Sequence, residues 1–130
     1  MIKQKTGFTL IEIIMALAIL GIGLVSVMAY LPIALDASKK ASNLTRASMV
    51  GQRVIEEIKL AGSSDIKAVD VFDTGTYTPD AYHQDFEYLV IVAPQGDAVA
   101  KDITVYVRWQ SRGNLISEKF QTKIPKYNPG

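Results

Sequence analysis

The hydrophobic pattern changes three times along the 130 residues. From Ile13 to Leu35 no side chain is charged. As a helix this run spans roughly 35 Å, enough to cross a bilayer with some tilt. Next comes a helical stripe: Leu44, Ala47, Gly51, Val54, Ile55 and Ile58 recur at i, i+3, i+7, i+10, i+11 and i+14. Lys40, Arg46, Arg53, Glu56, Glu57 and Lys59 fall mainly on other faces, so the stripe reads as a seam that packs on the chain's own head. The run closes at Ala61-Gly62-Ser63-Ser64, a C-terminal stop signal. One helix from Phe8 to about Ala61 would be roughly 80 Å long. Residues 62–85 then read as an irregular, acid-rich connection, in which Val69–Phe72 is a turn or an edge strand.

Period-two patterning begins at Phe86. Phe86–Ala93 predicts one strand, bounded by Pro94-Gln95-Gly96-Asp97. Ile103–Gln110 predicts a second, with Ile103, Val105, Val107 and Trp109 on one face. Arg112-Gly113-Asn114 makes a turn, and Leu115–Ile124 returns with Ile116, Phe120 and Ile124 inward and a break in alternation at Glu118. Short connections predict an antiparallel meander of about three strands. The expected fold is therefore α+β: a long N-terminal helix, its first half transmembrane, packed on a small antiparallel sheet. The expected organisation is a membrane helix over 8–35, its amphipathic continuation over 36–61, and a head over 62–130. The head comprises the connection 62–85, strands within 86–124 and a loose tail 125–130.

Charge sharpens this picture. The formal net charge is +1, which excludes the broad basic footprint of a nucleic-acid binder. The average hides segregation: residues 61–97 carry one Lys and seven acids, whereas 101–130 carry six basic groups and two acids. There is no Cys, so disulfides, thiolate metal sites and cysteine nucleophiles are excluded. No glycine-rich phosphate loop or zinc motif is present, so the sequence supports no enzyme and no cofactor. The acid-rich stretch matches no calcium-loop spacing, and His83, the single histidine, reads as a surface residue.

Two residues stand out in the apolar half. Pro32 removes the bond to the Met28 carbonyl and crowds that turn, predicting a kink or local melting. Glu12 sits immediately before the uncharged run, where a carboxylate in lipid costs at least ~2.5 kcal/mol and is a functional hypothesis by default. A secretory signal fits poorly: the run exceeds the usual 7–15 residues, and no good Ala-x-Ala follows it.

The N-terminal stretch reads Lys5-Thr6-Gly7-Phe8-Thr9-Leu10-Ile11-Glu12-Ile13-Ile14, with Lys3 just before it. It resembles the class III leader of type IV pilins and type II secretion pseudopilins: a short basic leader ending in Gly, then Phe, then Glu at the fifth mature position. The resemblance implies a leader over 1–7, cut between Gly7 and Phe8 by a prepilin peptidase, and methylation of the new Phe8 amine. The mature chain would have 123 residues. It further implies that Phe8 and Glu12 form an assembly pair, within one subunit or between two, in partnership with other pilin or pseudopilin subunits, an inner-membrane assembly platform and membrane lipid. The N-terminus would be cytoplasmic and the head periplasmic or extracellular. The stretch 47–58 also looks like a pattern of minor pilins and short pseudopilins, with Gly51 in place of the expected Ala. The implied function is a minor pilin of a type IV pilus, with a minor pseudopilin as the alternative. A signal-anchored periplasmic binding module that does not polymerise is the remoter one.

Overall fold

The computed structural model describes residues 7–126. Lys3, Lys5 and the last four residues of the tail lie outside that range. The chain divides into two compact units, Met1–Ser42 and Asn43–Gly130, and one helix, α1 (Leu10–Ser64), contributes to both.

In the first unit every described side chain except that of Asp36 is exposed. The helix satisfies its own backbone, which is what a polypeptide in hydrocarbon requires. Its internal hydroxyl is satisfied as well: Ser26 Oγ donates to the Ile22 carbonyl at 2.8 Å. Pro32 lies inside α1, which is helical on both sides of it. The helix is long and apolar enough to cross a membrane, and its most apolar window buries nothing within the chain.

The second unit builds its own core. From α1 it takes Ala47, Val50, Gly51, Val54, Ile58 and Gly62, a stripe at helical spacing. These pack on a four-stranded antiparallel sheet of order β1-β2-β3-β4. The strands are β1 (Thr78–Pro79), β2 (Phe86–Ala93), β3 (Ala100–Ser111) and β4 (Asn114–Pro125). Phe86, Val90 and Val92 from β2, and Ile103, Val105, Val107 and Trp109 from β3, form the inward face. Each such side chain stabilises the fold by about 1.5–3 kcal/mol on burial. Phe86 and Trp109 stand opposite each other in register, with ring centroids 5.6 Å apart.

Two glycines let helix and sheet approach closely. A Cβ on Gly51 would lie 2.5 Å from Phe120 Cδ2, and one on Gly62 would lie 2.9 Å from Val69 Cγ2 and 3.0 Å from Ile124 Cγ2. Gly62 is therefore a packing residue inside the helix rather than its stop, and α1 continues to Ser64.

Several sequence expectations are corrected. Val69–Phe72 is neither turn nor strand but part of a 3-10 helix, Ile66–Phe72, started by Asp65, whose carboxylate accepts the Lys67 N–H at 2.9 Å. The sheet has a fourth strand, the two-residue β1, which exists only through pairing of Thr78 with Tyr88 and Pro79 with Glu87. The β3–β4 turn has two residues, Arg112 (φ 53°) and Gly113 (φ 79°), and Asn114 already belongs to β4. This is the primed geometry that matches the twist of the strands. Alternation in β4 does not break at Glu118: it faces inward in register with Val107, half-buried at the sheet edge. Leu44 stays 46% exposed, so the packed stripe begins at Ala47, and Val50 joins it.

Candidate functional site

The functional residues read from the sequence lie where α1 begins. Gly7, Phe8 and Thr9 precede the first helical turn and are exposed, Phe8 to 82%. The Gly7–Phe8 bond thus lies outside the helix and is exposed. Thr9 occupies the cap position, because its carbonyl accepts the Ile13 N–H at 3.2 Å. Glu12 is the third helical residue, and the two side chains cap reciprocally. Thr9 Oγ1 accepts the Glu12 N–H at 3.3 Å, and Glu12 Oε2 accepts the Thr9 N–H at 3.1 Å. The Thr9 hydroxyl also donates to the same carboxylate oxygen at 3.2 Å. This is a capping box. Its sequence signal, Thr-x-x-Glu before an apolar run, is present at Thr9–Glu12, but the sequence reading gave Glu12 no capping role.

The box matters for charge. It holds a carboxylate at the positive end of the helix dipole and one residue from the N-terminal side of Phe8. The box lies wholly within Thr9 and Glu12 and does not involve the Gly7–Phe8 bond. Below lies an almost wholly apolar groove of about 540 Å³, lined by Phe8, Glu12, Ile13, Ala16, Leu17 and Leu20. Glu12 is thus the one charged group on an otherwise apolar helix face. Pro32 is 20 residues further along the same helix and is not part of this group.

The head's charges are mostly internal ties. Asp80, within the acid-rich connection, is 1% exposed. Its carboxylate accepts from Arg53 of α1, from the Tyr82 N–H at 3.1 Å and from the His83 N–H at 2.8 Å. His83 Nδ1 lies 3.2 Å from the same carboxylate, so the histidine expected to be a surface residue is a half-buried partner of Asp80. Arg53 also meets Glu57 at 2.9 Å and stacks on Tyr82, 5.2 Å from the ring centroid. Lys101, fully buried on the inner face of β3, is paired with Asp70. The Lys101 ammonium, helped by the Gly96 N–H, holds the Asp70 carboxyl below its ordinary value. Lys126 does the same for Asp97, at 2.7 Å. The pairs Arg53–Asp80, Asp97–Lys126 and Asp70–Lys101 join residues 27, 29 and 31 positions apart in the chain, so no local pattern announces them.

A polar groove of about 600 Å³ lies in the head between Asn43, Arg46, Gln84, Glu87, Arg108 and Trp109. Its Arg108 is already matched by Glu87 at 2.6 Å and stacked on Tyr77 at 3.7 Å from the ring centroid. Among the described residues no three His, Cys, Asp or Glu side chains are placed to hold a metal ion.

The structure thus defines a class: a chain with an exposed apolar helix near its N-terminus, continuous with a helix packed on an antiparallel sheet, in a pilin-like α+β arrangement. Residues 2–28 match the family model described as the prokaryotic N-terminal methylation motif. The chain carries the class III leader of type IV pilins and pseudopilins. The motif implies prepilin peptidase processing and assembly with other pilin subunits, and the apolar helix is consistent with a membrane-anchored pilin. The match covers the N-terminal segment and leaves the head outside it. No curated protein and no solved structure gave a significant match.

Proposed function

We propose that this chain is a minor pilin of a type IV pilus, structural rather than enzymatic. Residues 1–7 are the leader, and the peptidase cuts between Gly7 and Phe8. Residues 8–35 anchor the chain in the inner membrane with the head outside, and 36–61 continue the spine into the head. From there the subunit is drawn through the inner-membrane platform into, or to the tip of, the filament. The observation that supports this reading is the capping box: it holds the Glu12 carboxylate on the Thr9 N–H, one residue after Phe8, on an otherwise apolar helix face.

Assembly follows from cost and relief. A carboxylate and an amine brought into lipid are each unfavourable alone, and their attraction offsets that only when they meet. A docking subunit is therefore favoured in the register where its charges are matched. Removing Lys3 and Lys5 with the leader lets the new N-terminus enter the apolar layer. Pro32, lacking its bond to Met28, is the point at which the spine gives as a subunit leaves the bilayer.

Intact-mass analysis of the membrane-extracted protein, made with its peptidase present, tests this. The expected product begins at Phe8 and carries one methyl group. A chain that retains its leader, or that starts after Leu35, contradicts the reading. A minor pseudopilin of type II secretion would show the same mass. Identifying the subunits that co-purify with the detergent-solubilised protein separates the two.

A further inference from the structure

The two edges of the sheet differ in their hydrogen bonding. In an antiparallel ladder, alternate residues turn their N–H and C=O groups to opposite sides. The two-residue turn at Arg112–Gly113 makes Ser111 and Asn114 the closing hydrogen-bonded pair. Even-numbered residues of β4 therefore bond to β3, while Leu115, Ser117, Lys119, Gln121 and Lys123 turn their backbone groups away from the sheet. By the same alternation, Phe86, Tyr88, Val90 and Val92 of β2 face the opposite edge.

That opposite edge is closed. Phe86 donates to the His83 carbonyl and accepts from the Asp80 N–H, both at 2.9 Å. Tyr88 pairs with Thr78 of β1. Val90 donates to Thr74 Oγ1 at 3.1 Å and accepts from the Thr74 N–H at 3.2 Å. Val92 donates to Asp73 Oδ2 at 3.2 Å and accepts from Gln95 Nε2 at 3.4 Å. Along β4, the longer edge, the five outward residues have no backbone partner among the described residues. An open row of this kind is a template for another strand.

We infer that the β4 edge receives an extended acidic segment of another protein, added as a fifth strand. The partner's charge follows from four lysines, of which Lys123 and Lys126 also pair with Asp102 at 3.4 Å and Asp97 at 2.7 Å. Lys119 and Lys123 point to the outer face four residues apart, so a neighbouring strand meets them with its own side chains at i and i+4. Beside the C-terminal half of the edge, between β4 and α1, runs a groove of about 380 Å³ lined by Lys59, Ser63, Lys123, Ile124 and Lys126. The inner face offers half-buried Phe120 and Ile116 to alternate apolar residues of the incoming strand.

A second copy of β4 is the poorer occupant. Antiparallel self-pairing centred on Glu118, Lys119 or Gln121 sets Glu118 against Glu118, Lys119 against Lys119, or Lys119 against Lys123, and pairing centred on Phe120 sets Lys119 against Gln121 and Lys123 against Ser117, which gives neither lysine an opposite charge. Like charges directly opposite are destabilising. The same lysines that discourage like strands select an acidic one. This docking role is independent of the N-terminal assembly pair and stands or falls on its own test.

The probe is a labelled seven-residue peptide alternating valine with aspartate, threonine and aspartate, titrated against full-length protein in detergent and read by fluorescence anisotropy. It places its carboxylates opposite Lys119 and Lys123. Binding is expected, with a loss of about tenfold when the peptide's edge-facing amides are N-methylated or when its aspartates become lysines. Gln121→Pro removes an outward N–H without touching the β3 ladder and is expected to weaken binding similarly. Lys119→Glu with Lys123→Glu is expected to abolish it, and Lys119→Glu alone, which keeps the Lys123–Asp102 pair at 3.4 Å, is expected to weaken it while leaving the circular dichroism unchanged. If Gln121→Pro fails to fold, the N-methylated peptide against the unaltered protein carries the same test. Absence of binding, or binding indifferent to N-methylation, overturns the inference. So does a concentration-dependent dimer that Lys119→Glu with Lys123→Glu disrupts, because that assigns the edge to a second copy.

Discussion

Residues 13–35 of α1 leave their apolar side chains exposed, whereas residues 47–62 of the same helix bury one apolar stripe against a sheet. The backbone is helical in both halves, so propensity does not separate them. What separates them is where the complementary surface lies. Ala47, Val50, Val54 and Ile58 repeat at helical spacing and meet Val90, Ile103, Val105 and Val107 of their own chain. Phe8, Ile13, Leu17 and Leu20 meet nothing within it. The second half completes a fold, and the first is long and apolar enough to cross a membrane. Charge follows the same division. Asp80 and Lys101 in the head are buried only with partners, Arg53 and Asp70. Glu12 has a local partner, Thr9, and meets a charged one only in the proposed assembly.

Variants in the two halves should fail in different ways. Trp109→Ala removes the largest inward side chain of β3 and is expected to cost the head about 3–5 kcal/mol. Hydrogen exchange of β2–β4 amides in the detergent-solubilised chain should rise accordingly, with membrane insertion unchanged. Leu20→Asp should do the reverse: a carboxylate mid-span costs about 3 kcal/mol on insertion, so the alkali-resistant membrane fraction falls while the head keeps its exchange protection. If either variant harmed both halves, the division would be wrong.

Gly51→Ala sharpens the comparison on a smaller scale. The added methyl would press into the Phe120 ring, and overpacking of this kind costs about 1–2 kcal/mol, visible as a lower melting temperature of the head. The equivalent change at Gly21 or Gly23, where a Cβ meets nothing within 4 Å, should leave the head's melting unaltered. The smallest effect is with pH. Asp70 has a lowered carboxyl pKa in the folded chain, so its stabilisation is complete above the unfolded value and is lost as pH falls through the folded one. Below about pH 4 the unaltered head should destabilise more steeply than Asp70→Asn, whose amide does not titrate there.

Much of this was legible in the chain. The uncharged run Ile13–Leu35, the Gly7-Phe8 to Glu12 spacing and the alternation around Trp109 are local signals, and β2 was read with both ends right. The remainder depends on contacts distant in sequence. β1 has no pattern of its own, because two residues become a strand only by pairing with Tyr88 and Glu87. Gly62 carries a stop signal but lies against Val69 and Ile124 inside the helix. Asp70 and Asp80 look like loop acids until Lys101 and Arg53 are brought to them. The capping box is the exception: Thr9 and Glu12 stand three apart before an apolar run, a local signal for the reciprocal bonds they make.

The most direct test of the account is the fate of Glu12→Leu in cells that assemble the filament. The variant should be processed and should accumulate in the inner membrane as the unaltered chain does, since leucine is at home in the span. It should be missing from the sheared filament fraction, because the Phe8 amine then has no carboxylate to meet. Incorporation of Glu12→Leu at the unaltered level would contradict the claim that this charge directs assembly.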